Sequence, residues 1–196
     1  MKLALDFDGT IADTNRMKSK LIKKRYGISI PSWQCDRTLC VSHLGEDAYE
    51  EISNIVYERP STLKTPPLPN SLTTIKKLSK VAELYMLTAR PVKRLAYARE
   101  WLINHHIDGC FKGSISSFAE GKLWRPKLEI CQENKFDLLM DDDQRHFEKD
   151  GFDDIIKVLI KNDCRIELEV PANTQLVCSW REFYLFCVND ILKESR

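Results

Sequence analysis

Two aspartates, Asp6 and Asp8, follow an apolar run near the start of the 196-residue chain. The run Leu3-Ala4-Leu5 predicts a buried strand, and Gly9 then turns the chain away. Because residues i and i+2 of a strand face the same side, we expect both carboxylates to project together from its end. Two carboxylates this close repel each other unless a cation or a shared proton offsets their charge, and a hard divalent cation with oxygen ligands is the usual solution.

Polar residues also follow two later predicted strands, 83–87 and 136–140. They are Thr88 and Arg90, on either side of Ala89, after the first of these strands, and Asp141, Asp142 and Asp143 after the second. Ligands of open parallel sheets bind beyond the carboxyl ends of the strands, so we expect these groups to converge. Lys127 begins the helix before the second strand, and Lys122 lies just upstream as an alternative.

These residue types suit phosphoryl transfer. One carboxylate can act as a nucleophile and form an aspartyl-phosphate, and a second can protonate the leaving oxygen and then deprotonate water. A hydroxyl group, backbone N–H groups and a lysine can hold the transferring oxygens. Further carboxylates can bind Mg²⁺, which offsets the combined charge of nucleophile and phosphate.

The segments 1–10, 84–90, 122–127 and 136–143 resemble, in this order, the motifs of the haloacid dehalogenase (HAD) superfamily of Mg²⁺-dependent phosphohydrolases. The resemblance implies Asp6 as the nucleophile and Asp8 as the general acid and base, which would also bind the metal through its backbone carbonyl. It further implies substrate-binding and metal-binding residues. These are Thr88, Ala89 and Lys127 for the substrate, and Asp6, Asp8 and Asp142, with Asp141 as an alternative, for Mg²⁺.

Asp8 separates the activities within that superfamily, because dehalogenases lack this second aspartate and transport ATPases carry threonine there. Its presence favours a phosphatase or a phosphomutase, and the phosphomutase is the weaker alternative because nothing in the sequence indicates a sugar phosphate. Segment 13–66 resembles a helical cap that would close over the site and select the substrate. The remaining 1–12 and 67–196 would form the catalytic core.

Four further runs resemble the type C 5'-nucleotidases, which include the 5'(3')-deoxyribonucleotidases. They are 87–91, 101–102, 137–142 and 179–183. A nucleoside monophosphate is therefore our first expectation for the substrate. Trp33, Tyr49 and Tyr57 could stack against a base, although aromatic residues of a small helical segment more often belong to its core.

The predicted elements alternate, which indicates an α/β fold with a Rossmann-like, mainly parallel sheet and helices on both faces. We predict strands at 2–7, 83–87, 109–115 and 136–140, and helices at 11–27, 46–58, 72–80, 91–106, 126–134 and 179–192. Segment 154–170 is ambiguous, since 154–160 is compatible with a helix and 165–170 with a strand.

Composition places few further limits on function. The net charge of +1 gives no reason to expect nucleic acid or an anionic membrane as a partner. No membrane span or secretion signal is visible, so we expect a cytoplasmic protein whose seven cysteines are free thiols. Cys35, Cys40 and His43 lack the spacing of a zinc site, and His146 is expected to face solvent.

Three alternatives to a nucleotidase remain at this point. The chain could hydrolyse another small phosphomonoester, it could act on a phosphorylated nucleic-acid end, or it could bind a metal and a ligand without catalysis. A nucleic-acid end would need an open basic groove, which the balanced charge does not favour. The sequence leaves the oligomeric state open.

Overall fold

The computed structural model describes residues 1–118, 124–161 and 169–191. Its strands form one parallel sheet in the order β3-β2-β1-β4-β5-β6. The strands are β1 (Lys2–Leu5), β2 (Glu83–Thr88), β3 (Phe111–Ser116), β4 (Leu138–Asp141), β5 (Ile156–Ile160) and β6 (Thr174–Val177). The central position of β1, between β2 and β4, places the ends of three strands side by side.

Eight α-helices connect and flank the strands of the described chain. They are α1 (Thr14–Tyr26), α2 (Arg37–Leu44), α3 (Glu46–Val56), α4 (Arg59–Lys64), α5 (Ser71–Leu78), α6 (Val92–Asn104), α7 (Lys127–Asn134) and α8 (Trp180–Phe186). A π-helical turn, Cys187–Ile191, continues α8. The predicted α/β fold, with a parallel sheet and helices on both faces, is confirmed.

The sheet is buried on both faces, as parallel sheets usually are. One apolar cluster joins Leu3, Leu5 and Met140 to helices α5, α6 and α8. A second cluster joins Ala4 and Leu139 to α7 on the opposite face. Alternate residues of one strand therefore serve two cores, which explains why strands such as β1 and β4 are continuously apolar in the sequence.

Helices α1 to α3, between β1 and β2, have an apolar cluster of their own, which includes Ile22, Tyr49 and Ile52, and α4 follows them before β2. We call residues 14–64 the helical insert. The chain enters and leaves this insert at one place, where the Asp13 N–H donates to the Pro66 carbonyl at 2.8 Å. Next to this bond, Ala12 and Pro67 form an antiparallel bridge.

Several local predictions differ from the structure. Segment 156–160 is a strand, so the helical interpretation of 154–160 is wrong. Strand β6 and helices α2 and α4 were not predicted. The strand predicted at 165–170 lies largely outside the described residues. Cys178 is disulfide-bonded, so the expectation of free thiols is wrong there.

Candidate active site

Residues at the ends of β1, β2 and β4 line one cavity of about 50 Å³, among them Asp6, Asp8, Arg90 and Asp142. Strand pairing produces this convergence, because β1 pairs with both neighbours and the Asp6 N–H donates to the Met140 carbonyl at 2.9 Å. Two buried tryptophans fix the adjacent loops. The Trp180 indole donates to the Thr10 carbonyl at 2.7 Å, and the Trp101 indole donates to the Thr65 carbonyl at 2.8 Å.

Lys127 links two of the predicted site carboxylates. Its Nζ atom lies 2.5 Å from Asp6 Oδ1 and 2.6 Å from Asp141 Oδ2. All three side chains are almost completely buried. The positive charge of the buried lysine offsets the negative charges of the two carboxylates, which would be costly to bury without a partner. Lys122, the alternative to Lys127, lies outside the described residues.

Asp6, Asp141 and Asp142 form the group suited to a metal ion, since one oxygen of each lies within 4.8 Å of the others. Asp142 Oδ2 accepts a hydrogen bond of 2.6 Å from Asn15 Nδ2 of α1. Oxygen-only donors of this charge suit Mg²⁺ or another hard divalent cation. The side chain of Asp8, in contrast, binds Arg90 and is not part of this group.

Gly9 makes this close arrangement possible. Its φ of +75° is a conformation that L-residues with a Cβ rarely adopt. A Cβ at this position would lie 2.0 Å from Asp142 Oδ2 and 2.6 Å from Asn15 Nδ2. The turn after β1 therefore requires glycine for both its backbone conformation and the space that Asp142 occupies.

Burial and mutual repulsion disfavour the charged forms of the carboxylates. Burial raises the pKa of Asp6 to about 7; Lys127 opposes the rise, and the charges of Asp141 and Asp8 add to it. Burial and the charge of Asp141 also hold the pKa of Asp142 well above its usual range. A bound cation would compensate for this cost by favouring the charged carboxylates.

Arg90 is buried and contacts the second aspartate of the motif. Its Nε and Nη2 atoms each lie 2.7 Å from an oxygen of Asp8, and Nη1 lies 2.7 Å from Thr62 Oγ1 in α4. The guanidinium lies between the rings of Phe7 and Tyr57, at 5.0 and 4.7 Å from their centroids. A single side chain thus connects Asp8 of the core to the helical insert.

Thr88 ends β2 and Ala89 follows it, and Thr88 is not among the residues that line the cavity of the aspartates. The Thr88 hydroxyl is buried and accepts a hydrogen bond from the Arg90 N–H at 3.2 Å. Ala89 lines the cavity of the aspartates. Ser116 of β3 supports this loop, because its hydroxyl donates to the Arg90 carbonyl at 2.6 Å.

Two further polar contacts join the helical insert to the core. The Thr38 hydroxyl of α2 donates to Asp143 Oδ1 at 2.6 Å. Lys161 Nζ, just after β5, lies 2.8 Å from Asp36 Oδ2, and both side chains are buried. Asp36 also caps α2 by accepting from the Leu39 N–H. The beginning of α2 is therefore held directly over the carboxyl ends of β4 and β5.

A second cavity, of about 500 Å³, adjoins the first and shares Tyr49, Tyr57 and Ala89 with it. Helix α3 forms one wall, and Trp124 and Phe118 of the core contribute to the other. The buried Ser53 hydroxyl lines it without a hydrogen-bond partner in the described chain. Its volume lies within the range of about 300–1,000 Å³ that is typical of small-molecule sites.

One residue of the sequence analysis, His146, has a different outcome. His146 is buried rather than facing solvent, and its Nε2 lies 4.0 Å from Asp141 Oδ2. Burial and the charge of Lys127 lower the pKa of His146 well below its usual value. Cys35 and Cys40 are buried thiols, and neither belongs to a metal-binding group of the described residues.

The site also contains residues that sequence reasoning missed. Asn15 was not predicted as a site residue, although it lies in the first turn of α1, shortly after the two aspartates, and this position indicates that it is near them. The bonding of Arg90 to Asp8 and the burial of Lys18 depend on how the insert packs, which no local sequence pattern indicates.

Every helix of the described chain falls short of the length and apolar character of a membrane span.

No protein-family model matches this sequence, and no curated protein matches it. Among solved structures, the L-2-haloacid dehalogenase of Xanthobacter autotrophicus, with chloropropionic acid covalently bound, has a TM-score of 0.62 at 10% identity and covers 96% of this chain and 98% of its own. A HAD hydrolase of Bacillus subtilis bound to magnesium has a TM-score of 0.59 at 13% identity and covers 97% and 98%.

A predicted phosphoglycolate phosphatase of Haemophilus somnus has a TM-score of 0.54 at 16% identity and covers 99% of this chain and 97% of its own. Similarity at this level of identity reports the fold. The chain has the fold of the HAD-superfamily hydrolases over nearly its whole length.

Proposed function

We propose that this protein is a Mg²⁺-dependent phosphomonoester hydrolase that acts through an aspartyl-phosphate. The observation that carries the proposal is the buried arrangement of Lys127 between Asp6 and Asp141, with Asp142 completing a three-carboxylate group. A second carboxylate, Asp8, stands two residues from the nucleophile. Nucleophile, acid, charge-neutralising lysine and metal ligands thus line one small cavity.

In the proposed reaction, a carboxylate oxygen of Asp6 attacks phosphorus and the bond to the leaving oxygen breaks. Asp8 gives its proton to that oxygen, so the alcohol leaves neutral. Asp8 then takes a proton from water, which attacks phosphorus and breaks the aspartyl-phosphate. Inorganic phosphate leaves, Asp6 is a carboxylate again, and Asp8 has regained its proton.

The donor set fits a divalent cation, since the three carboxylates are buried and the pKa values of Asp6 and Asp142 are raised. Asp6, Asp142 and the Asp8 backbone carbonyl are the ligands we propose, with Asp141 as the alternative to Asp142. The cation would offset the negative charge of nucleophile and phosphate. Magnesium bound to the Bacillus subtilis neighbour supports this assignment.

The fold alone does not choose between phosphatase and dehalogenase, because both occur among the neighbours. Asp8 favours the phosphatase for a chemical reason. An alkoxide leaving group needs a proton, whereas a halide leaves as a stable anion. Asp8, a second carboxylate held by Arg90 beside the nucleophile, can supply that proton.

The adjoining cavity supports a nucleoside as the leaving group. Its volume of about 500 Å³ and its aromatic walls, which include Tyr57, Phe118 and Trp124, suit a flat ring system next to the phosphoryl site. The unpartnered Ser53 hydroxyl offers a hydrogen bond to such a ring. A nucleoside monophosphate is therefore the substrate that we propose first.

The test measures phosphate release with Mg²⁺ from an aryl phosphate, a panel of nucleoside monophosphates and a panel of sugar phosphates. Asp6→Asn should abolish release, and the exposed Asp154→Asn should not change it. Peptide mass analysis of quenched reactions should locate the phosphoryl group on Asp6. Wild-type turnover by the folded Asp6→Asn variant would refute the nucleophile, and release only from sugar phosphates would refute the nucleoside.

A further inference from the structure

Lys18, on α1 of the helical insert, is a buried cation that forms no ion pair within the described part of the chain. Lys18 is only 2% exposed. Its Nζ donates to the Tyr49 hydroxyl at 2.8 Å and to the Cys35 carbonyl at 3.3 Å. Both acceptors are neutral. Among the described residues, no carboxylate oxygen lies within the 4.0 Å of an ion pair with this ammonium.

The other buried cations around the site are paired. Arg90, Lys127 and Lys161 each have a carboxylate oxygen at 2.5 to 2.8 Å. A buried charge is costly unless an opposite charge and hydrogen bonds compensate for it. Lys18 has the hydrogen bonds but no direct ion pair with the described residues, so an anion is the missing contact partner.

The position of Lys18 indicates which anion this is. Lys18 lines the small cavity that also holds Asp6 and Lys127, and it does not line the larger adjoining cavity. Its Nζ lies 4.9 and 5.4 Å from the ring centroids of Tyr49 and Tyr57, the two tyrosines that border both cavities. The ammonium therefore faces the phosphoryl end of the site rather than the leaving group.

We infer that Lys18 binds a phosphoryl oxygen of the substrate from the side of the helical insert, opposite Lys127 of the core. This inference rests on the proposed function and adds to it a phosphate ligand contributed by the insert. A lysine has three N–H donors, of which two are engaged, so the third is available to the phosphoryl group. The bound phosphate of the substrate would supply the negative charge that pairs with the ammonium of Lys18.

The test is calorimetric binding of inorganic phosphate in the presence of Mg²⁺, which needs no turnover. Lys18→Gln removes the charge but keeps a donor for the Tyr49 hydroxyl, and it should weaken phosphate binding by about tenfold or more, the effect of losing one charge-assisted hydrogen bond. Lys18→Arg keeps the charge and should stay within about threefold of the wild type. Lys24→Met, an exposed change on the same helix, should have no effect.

A merely structural role for Lys18 predicts a different pattern, in which Lys18→Gln binds phosphate like the wild type. That result, or a wild-type protein that binds no phosphate with Mg²⁺, would overturn the inference. Lys18→Met provides a second neutral variant if the glutamine variant does not fold. If phosphate binding depends on Lys18 but the wild-type protein hydrolyses no phosphomonoester, the proposed function alone is refuted. If the wild-type protein hydrolyses phosphomonoesters but Lys18→Gln binds phosphate with unchanged affinity, this inference alone is refuted.

Discussion

Arg90 holds Asp8 by both carboxylate oxygens, with Nε and Nη2 each 2.7 Å from one of them. This bidentate geometry fixes the plane of the carboxylate as well as its position. Because Nη1 of the same guanidinium binds Thr62 of α4, the orientation of Asp8 depends on where the helical insert lies. Arg90 therefore acts as a positioning residue between the insert and the proposed general acid.

The first prediction concerns Arg90→Lys. An ammonium keeps the positive charge but offers no planar pair of donors, so Asp8 would lose its fixed orientation. We expect kcat to fall by about 10- to 100-fold, a part of what general acid–base catalysis contributes, with a smaller change in KM. Steady-state kinetics with an aryl phosphate measures both. A kcat unchanged in a folded Arg90→Lys protein would contradict the positioning role.

The second prediction concerns Lys127→Met. Removal of the ammonium leaves Asp6 and Asp141 buried without their cation. Loss of one partner of a buried ion pair costs about 3–5 kcal/mol, so we expect the free energy of unfolding to fall by an amount in that range. Urea unfolding measures it without Mg²⁺, and the exposed Lys93→Met on α6 is the matched control. Equal stability of the two variants would contradict the assigned pairing.

The third prediction concerns pH and Mg²⁺. The pKa of Asp6 is about 7, so the cation must displace a proton at lower pH. We expect the Mg²⁺ affinity to fall by up to about tenfold for each pH unit below pH 7, and by more where Asp142 is also protonated. Calorimetry at about pH 6 and about pH 8 measures it. Affinity that does not vary with pH would show that Asp6 is ionised throughout.

The same pKa predicts a linked effect on stability. The folded-state pKa of Asp6 lies above the ordinary value of 3.8, so its contribution to stability is present at low pH and is lost as the pH rises through about 7. Without Mg²⁺, this group makes the protein less stable at about pH 8 than at about pH 6. Added Mg²⁺ should therefore stabilise the protein more at the higher pH, and Asp6→Asn should diminish that difference.

The fourth prediction separates two requirements for glycine. Gly27→Ala, at a φ of +71° with open space around it, tests backbone strain alone and should cost about 1 kcal/mol. Gly9→Ala adds a collision with Asp142 to a similar φ. We expect it to cost more stability than Gly27→Ala and to abolish Mg²⁺ binding, as measured by unfolding and calorimetry. Normal Mg²⁺ binding by Gly9→Ala would contradict the close packing of the turn.

The sequence predicted that Asp6, Ala89 and Asp142 lie at one place, because the strand ends of a parallel sheet meet at one edge, and all three line one cavity. It did not resolve 154–160, since a five-residue strand that is buried on both faces lacks the alternation that separates strand from helix. The pairing of Arg90 and the burial of Lys18 depend on packing between the insert and the core. The spacing of residues along the chain does not indicate such contacts.

The backbone of the insert joins the core at one place, where the Asp13 N–H donates to the Pro66 carbonyl. Strand β1 pairs with β2 even though 77 residues separate Leu5 from Glu83 in the chain, and the insert accounts for most of these residues. The entropic cost of closing a loop grows slowly with its length. Parts of the insert that do not touch the site can therefore change in length, whereas Asn15, Thr38 and Thr62 tie the carboxylate chemistry to the insert by binding Asp142, Asp143 and Arg90.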